Sequence, residues 1–254
     1  MDPERVQSTL RLIGKVYKRV LDDTAQYVIP SAVEMVSLTK EQYDYAKRNL
    51  TRGYVPEPWG YTIDHQQPLR FKPKKIPNGI ELQPEVYCDI RWMDADIPVK
   101  QDIKVRIWCE HAETIYVEDR DSPRILEQLA DPKRQYKGRV VSRFHFDKAD
   151  LTAGHTYHPE YHLQFGGISM GYELCWHPPK VNVPRLNHQP MELFLTCQMI
   201  AANFYWEEYQ EIKEKREWRE GLVYCQELVL RDYYQKCVKL IEDKESLLDG
   251  LRAE

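Results

Sequence analysis

Apolar residues near the N-terminus recur at intervals of three and four, the period of an amphipathic helix. They predict a helix over about residues 4–23. A second helix is expected over residues 38–50, with Thr39 as its N-terminal cap and Gly53 after its end. Residues 1–55 are therefore interpreted as an N-terminal helical segment.

Prolines dominate the next stretch of the chain. Five of them lie within residues 56–77. Proline removes a backbone donor and fixes φ, so regular elements are not expected here. We interpret residues 56–84 as a proline-rich connector, and we expect the second proline-rich stretch, residues 178–190, to be irregular as well.

From residue 85 the pattern changes to runs of β-branched and aromatic residues, which are typical of strands. Residues 85–190 are predicted to form a β-rich core, with one short helix over residues 122–130. Residues 191–254 return to a helical pattern and are expected to pack on this core. The predicted fold class is α+β, with a central antiparallel or mixed sheet between N-terminal and C-terminal helices.

Composition narrows the class of protein. The chain has 254 residues, 42% hydrophobic residues and a formal net charge of −4, which excludes a disordered chain and gives no overall sign of nucleic-acid binding. Neither a signal peptide nor a membrane span is apparent, so a cytoplasmic location is expected. The six cysteines are widely spaced and are interpreted as reduced core thiols.

Ionisable residues concentrate in one part of the predicted core. Six of the eight histidines lie within residues 145–188. Side chains alternate between the two faces of a strand, so Arg143, His145 and Asp147 share one face of their strand. The same alternation places His162 and Gln164 on one face of a later strand. If the two strands pair, these five side chains form one surface.

This surface suits the cleavage of a phosphodiester. His162, together with His145 or His158, can divide general-base and general-acid work, and Arg143 can stabilise charge on a phosphate. Asp147 can orient an imidazole. Three groups of residues are expected to bind the substrate. They are a basic run without acidic residues that leads to Arg143, a glutamine side chain on the strand of His162 and the two glycines after that strand: Lys133, Arg134, Lys137, Arg139, Gln164, Gly166 and Gly167.

Two other interpretations of this surface remain open. The polar faces can be the solvated side of a sheet, with no chemistry. Alternatively, His145, Asp147, His158 and His162 can bind zinc or manganese, although their spacing matches no zinc signature that we can justify. We favour a site without metal or other cofactor.

The run RFHFDKADLTAGHTYHPEYHLQFGG, residues 143–167, resembles the core motif of uncharacterised bacterial domain families. These families carry an R-x-x-x-D strand followed by H-P-x-x-H and glycine, and they occur in toxin–antitoxin and phage-defence loci. The resemblance implies that Arg143, Asp147, His158, His162 and Gly166 are motif residues, and it implies a defence context. His145 lies outside this motif.

The resulting hypothesis is a metal-independent endoribonuclease, a hydrolase of toxin or antiviral-defence type. RNA or another nucleic acid is the expected partner, and a cognate antitoxin, a complex subunit or a second copy in a homodimer are further candidates. The alternative hypothesis is a non-enzymatic subunit or adaptor of a multi-protein defence complex, which binds a partner through its C-terminal helices.

Overall fold

An eight-stranded antiparallel sheet lies between helices from the two ends of the chain, which confirms the predicted α+β class. The fold is that of a computed structural model, which describes residues 1–49, 55–76, 80–95, 97–109, 139–148, 159–165, 186–247 and 251. The predicted helix over residues 122–130 lies outside these residues.

Three short strands pair side by side with one long strand at one edge of the sheet, and the remaining strands lie beside one another in chain order. The strands are β1 (Trp59–Ile63), β2 (Leu69–Arg70), β3 (Lys74–Lys75), β4 (Glu81–Trp92), β5 (Lys100–Cys109), β6 (Arg139–Lys148), β7 (Tyr161–Phe165) and β8 (Leu186–Asn187). The spatial order is β1-β4-β5-β6-β7-β8, and β2 and β3 also pair with β4. Neighbours in this order are antiparallel throughout.

The prediction of an irregular connector over residues 56–84 is wrong. Three strands lie within it, and its boundary cuts through β4. Pro58, Pro68 and Pro73 each directly precede a strand, which is a position where proline is tolerated, and each of these strands pairs with β4. Pro84 instead lies inside β4, opposite Ile107 of β5. The second proline-rich stretch likewise contains β8.

The helices begin and end at different residues from those predicted. They are α1 (Pro3–Val16), α2 (Ala25–Arg48), α3 (Leu193–Phe204), α4 (Trp206–Ile212), α5 (Arg216–Cys225) and α6 (Arg231–Glu242), with a π-helical turn at Gln226–Leu230 between the last two. Asp2 caps α1 by accepting a hydrogen bond from the backbone of Glu4, and Pro3 occupies the first turn. The last residue of α1 is Val16, seven residues before the predicted end of this helix.

Thr39 lies inside α2 rather than at its cap. Its hydroxyl donates to the carbonyl of Gly60 and accepts from the Gly60 amide, at 2.9 and 3.0 Å. The next outward-facing amide of β1, that of Thr62, contacts the Met35 sulfur at 3.1 Å. Helix α2 thus covers the outer edge of β1. A Cβ at Gly60 would lie 2.0 Å from the carbonyl oxygen of Ile90, so glycine is required at this position.

The two faces of the sheet differ in character. One face carries apolar side chains that join residues of α1, α2, α3 and α5 in a single core, and Tyr17 and Phe194 are among its buried rings, 5.4 Å apart. The other face carries charged and polar side chains. We call it the polar face; its members on β4–β7 are Glu85, Tyr87, Asp89, Arg91, Lys100, Asp102, Lys104, Arg106, Arg143, His145, Asp147, His162 and Gln164.

The structure describes five of the six cysteines, which were predicted to be reduced core thiols. Cys88, Cys109, Cys197 and Cys225 are buried free thiols, Cys237 is a partly buried one, and Cys175 lies outside the described residues. None of the helices in the described ranges combines the length and apolarity needed to cross a bilayer.

Candidate active site on the polar face

Strand pairing brings the predicted residues together. β6 and β7 are antiparallel neighbours, with Asp147 opposite His162 and His145 opposite Gln164. Directly opposite side chains in such a pair have Cβ atoms about 5 Å apart. The hypothesis that the two polar strand faces form one surface is therefore correct, and Arg143 lies on this surface two residues before His145.

A third strand completes the surface with residues that the sequence analysis did not single out. On β5, Asp102 lies opposite Asp147, Lys104 opposite His145 and Arg106 opposite Arg143. The alternation in DIKVRIW was a usable signal, because it puts these three residues on one face. The strand was interpreted only as part of the core, so its polar face was missed.

Asp147 is the centre of the cluster. One of its oxygens, Oδ2, lies 2.6 Å from Nδ1 of His145 and 3.6 Å from Nε2 of His162. Asp102 adjoins this carboxylate and also contacts Nζ of Lys104. We call Asp102, His145, Asp147 and His162 the Asp–His cluster.

The cluster is shielded from water to a large degree. His162 is 3% exposed, and the side chains of His145 and Asp147 are 13% and 21% exposed. Its buried atoms without a hydrogen-bond partner in the described part of the chain include Asp102 Oδ1, Asp147 Oδ1 and both ring nitrogens of His145. Buried polar groups are normally paired, so atoms of this kind point to an interaction that the described residues do not supply.

The two carboxyl groups of the cluster have opposite pKa shifts. Burial, and then the negative charge of Asp147, raises the pKa of Asp102. Burial would also raise the pKa of Asp147, but its interactions with the rings of His145 and His162 outweigh burial and hold that pKa well below its usual value. Asp147 is therefore the more acidic of the two carboxyl groups.

A second carboxylate on the same face, that of Glu85, accepts hydrogen bonds at both of its oxygens. Glu85 Oε1 accepts from Arg70 Nε at 2.7 Å, and Glu85 Oε2 accepts from Arg106 Nη2 at 2.8 Å and Trp108 Nε1 at 2.5 Å. The Arg106 guanidinium also lies over the Tyr87 ring, 4.9 Å from its centroid. We call Glu85, Arg70, Arg106 and Trp108 the Glu85 network.

A groove of about 560 Å³ lies between α2 and the polar face. It is lined by Thr39, Gln42, Tyr43, Ala46, Glu57, Pro58, Asp89, Arg91 and Lys100. Asp89 accepts from Arg91 Nε at 2.7 Å and from Lys100 Nζ at 2.6 Å, so two cations share one carboxylate there. Lys100 precedes Asp102 by two residues on β5, so the groove and the Asp–His cluster adjoin the same face of that strand.

Several predicted site residues are not part of this picture. Lys133, Arg134, Lys137, His158, Gly166 and Gly167 lie outside the described residues. Arg139 begins β6 opposite Cys109. Two basic residues near β2 and β3 are paired with glutamates, since Arg70 binds Glu85 and Lys74 lies 3.3 Å from Glu208. His188 packs against the Phe146 ring, with 4.9 Å between the ring centroids.

Comparisons of the chain with protein-family models, with curated proteins and with solved structures found no match.

Proposed function

We propose that the protein cleaves phosphodiester bonds in RNA at the Asp–His cluster, as a metal-independent endoribonuclease. The observation that carries this proposal is the contact of one Asp147 oxygen with the imidazoles of both His145 and His162. A carboxylate that orients an imidazole fixes its tautomer and stabilises its protonated form.

The proposed reaction uses the two imidazoles as a proton-transfer pair. His145 Nδ1 contacts Asp147, and we propose that Nε2, which is buried in the free protein, accepts the proton of the ribose 2′-hydroxyl when the substrate is bound. The 2′-oxygen forms a bond to phosphorus, and the bond from phosphorus to the 5′-oxygen breaks. His162, in its protonated form, donates a proton to that leaving oxygen, and a cyclic phosphate results.

Arg143 supplies the charge stabilisation. It is a buried cation on the same face as His145 and two residues away, which is within reach of a phosphate held beside the imidazoles. A guanidinium has five N–H donors in a fixed fork, so it can bind a protein partner and a phosphate oxygen together. The groove beside α2, with Arg91 and Lys100, is a surface over which the flanking nucleotides can extend.

The test is incubation of the protein with total RNA and with labelled single-stranded DNA, with and without EDTA. We expect RNA cleavage that persists in EDTA and is lost in His145→Ala, His162→Ala and Arg143→Ala. The matched control is His65→Gln, which removes another aspartate–histidine contact, that of His65 Nδ1 with Asp64 Oδ1 at 3.3 Å, in a turn outside the cluster. Cleavage that is absent, or that survives all three cluster substitutions, would overturn the proposal.

One observation supports the second candidate function, a non-enzymatic subunit that binds a partner. Tyr234, Val238 and Ile241 lie on one side of α6 at helical spacing and are 49%, 53% and 62% exposed. Such a stripe suits a cognate antitoxin, another complex subunit or a second copy of the chain. Size-exclusion chromatography with light scattering tests this: a stable monomer that co-purifies with no other protein would count against it.

The defence context implied by the resemblance of residues 143–167 belongs to the same proposal. In that context the ribonuclease would act as a toxin or antiviral effector in the cytoplasm, and expression of the active protein would arrest growth. Growth that is unaffected by wild type and by His162→Ala alike, in a host where the purified enzyme cleaves RNA, would remove the toxin role while leaving the activity.

A further inference from the structure

Three groups of the Asp–His cluster have the arrangement of metal ligands. A carboxylate oxygen of Asp102, a ring nitrogen of His145 and a carboxylate oxygen of Asp147 all lie within 4.8 Å of one another. The ligand atoms around a tetrahedral zinc ion are separated by about 3.4 Å, given zinc–nitrogen and zinc–oxygen distances of about 2.0–2.1 Å. Small side-chain rotations therefore suffice to close these three groups around one ion.

The unpaired atoms of the cluster favour a cation. Asp102 Oδ1 and Asp147 Oδ1 are buried acceptors with no donor among the described residues, while Lys104 contacts only the other oxygen of Asp102. Both ring nitrogens of His145 are likewise buried without a hydrogen-bond partner in the part of the chain that the structure describes. Two adjacent carboxylates need a positive charge or a shared proton between them. An ion at this point would satisfy oxygens and imidazole together.

The donor types select the class of ion. Mg²⁺ and Ca²⁺ prefer sites made of oxygen atoms, whereas imidazole with carboxylate suits zinc and other transition-metal ions. His162 adjoins these three groups, with its Nε2 3.6 Å from Asp147 Oδ2. This set requires no residue beyond β5, β6 and β7.

We propose that the Asp–His cluster binds one divalent transition-metal ion of the zinc class and that this ion inhibits RNA cleavage. The inhibitory part rests on the proposed function. An imidazole nitrogen bound to metal has no lone pair with which to accept a proton, and a carboxylate bound to metal no longer orients an imidazole. Metal binding and proton transfer thus exclude each other at His145 and Asp147.

Metal binding is measured first, without reference to activity. The full-length protein is stripped with EDTA, exchanged into metal-free buffer and titrated with ZnCl₂ by calorimetry, and with CoCl₂ by visible absorption. We expect one ion per chain and the absorption bands of low-coordinate cobalt. Asp102→Asn should weaken zinc binding by about tenfold or more, as the loss of a metal ligand does.

The matched control is Asp89→Asn. Asp89 is the aspartate opposite Asp102 on β4, and its oxygens already bind Arg91 and Lys100, so its replacement should leave zinc affinity unchanged. His145→Gln is a second variant that should lose binding, for use if Asp102→Asn is not folded by circular dichroism. Absence of binding at millimolar zinc, or equal binding by wild type, Asp102→Asn and His145→Gln, would overturn the metal site.

Cleavage assays then decide the effect of the ion. Zinc should stop RNA cleavage at one equivalent, EDTA should restore it, and the cleavage that Asp102→Asn retains should no longer respond to zinc. Zinc-stimulated cleavage would overturn the inhibitory role and make the ion a cofactor. If RNA is not cleaved under any condition, the proposed function fails, whereas the calorimetric result still establishes or rejects the metal site.

Discussion

Two carboxylate centres on the same face of the sheet differ in how completely they are paired. Both oxygens of Glu85 accept hydrogen bonds from Arg70, Arg106 and Trp108. In the Asp–His cluster, by contrast, Asp102 and Asp147 each keep one buried oxygen without a donor among the described residues. Satisfied hydrogen bonds contribute to stability, whereas buried polar atoms without a partner call for an explanation such as a ligand, an ordered water or a catalytic role. We therefore expect substitution of Glu85 to act on stability and substitution in the Asp–His cluster to act on the proposed activity.

The largest expected effect is that of Asp147→Asn on RNA cleavage. The amide keeps the size of the side chain but cannot stabilise an imidazolium, so kcat should fall by about 10²–10⁴-fold, the usual contribution of general acid–base catalysis. Single-turnover cleavage assays measure this fall. Asp64→Asn, which changes an exposed aspartate beside His65, is the control and should be as active as wild type.

Glu85→Gln should act on stability instead. The substitution leaves Arg106, which is 4% exposed, without its buried counter-charge. Removing one partner of a buried ion pair costs about 3–5 kcal/mol. Urea unfolding monitored by circular dichroism gives the change in the free energy of unfolding. If Glu85→Gln were as stable as wild type while Asp147→Asn unfolded, the assignment of the two centres would be reversed.

A third buried carboxylate, Glu192 at the start of α3, extends the comparison to the apolar side of the sheet. It accepts from the Phe194 amide at 2.7 Å and lies 3.1 Å from the Cys225 sulfur. Burial raises the pKa of Glu192 in the folded state. The folded state therefore holds the proton more tightly, and ionisation of Glu192 costs stability as pH rises above the unfolded pKa of about 4.3.

Glu192→Gln should remove this dependence. The variant and wild type should differ little at about pH 4, and the difference should then grow in favour of the variant until the folded pKa is passed. Thermal unfolding between pH 4 and pH 8 measures the difference. A gap that narrows as pH rises would contradict the raised pKa.

The smallest effect is expected at Asp89. Lys100 and Arg91 hold the pKa of this half-buried carboxyl below its usual value, against the opposing effect of burial. Asp89→Asn should cost less than about 1 kcal/mol at pH 7, since ion pairs near the surface contribute little. This cost should vanish as pH falls through the folded pKa of Asp89, because the wild-type carboxyl is then neutral too. Urea unfolding at pH 7 and at low pH measures it.

Sequence reasoning reached the centre of the site but not all of it. Alternation in RFHFD placed Arg143, His145 and Asp147 on one face, and the pairing of β6 with β7 confirmed the surface. Asp102 was missed because a strand that alternates between apolar and charged residues was interpreted through its apolar half alone. The residues of β6 do not specify which strand pairs with it, because strand order depends on the topology of the whole sheet.

The short strands and the first part of α2 were not predicted, for other reasons. β2 and β3 have two residues each, too few to show a period, and the surrounding prolines dominate the local pattern. In α2, Thr39 looked like a cap because threonine favours that position. Its hydroxyl instead binds the backbone of Gly60 in β1, which lies 21 residues further along the chain.

The arrangement of prolines before β1, β2 and β3 also bears on solubility. An exposed sheet edge offers free backbone donors and acceptors to which another chain can add a strand. Here the outward amides of Gly60 and Thr62 bind α2, and proline supplies no amide at the residue before each short strand. At the opposite end of the described sheet, β8 has only two residues. The protein should therefore resist edge-to-edge aggregation at high concentration.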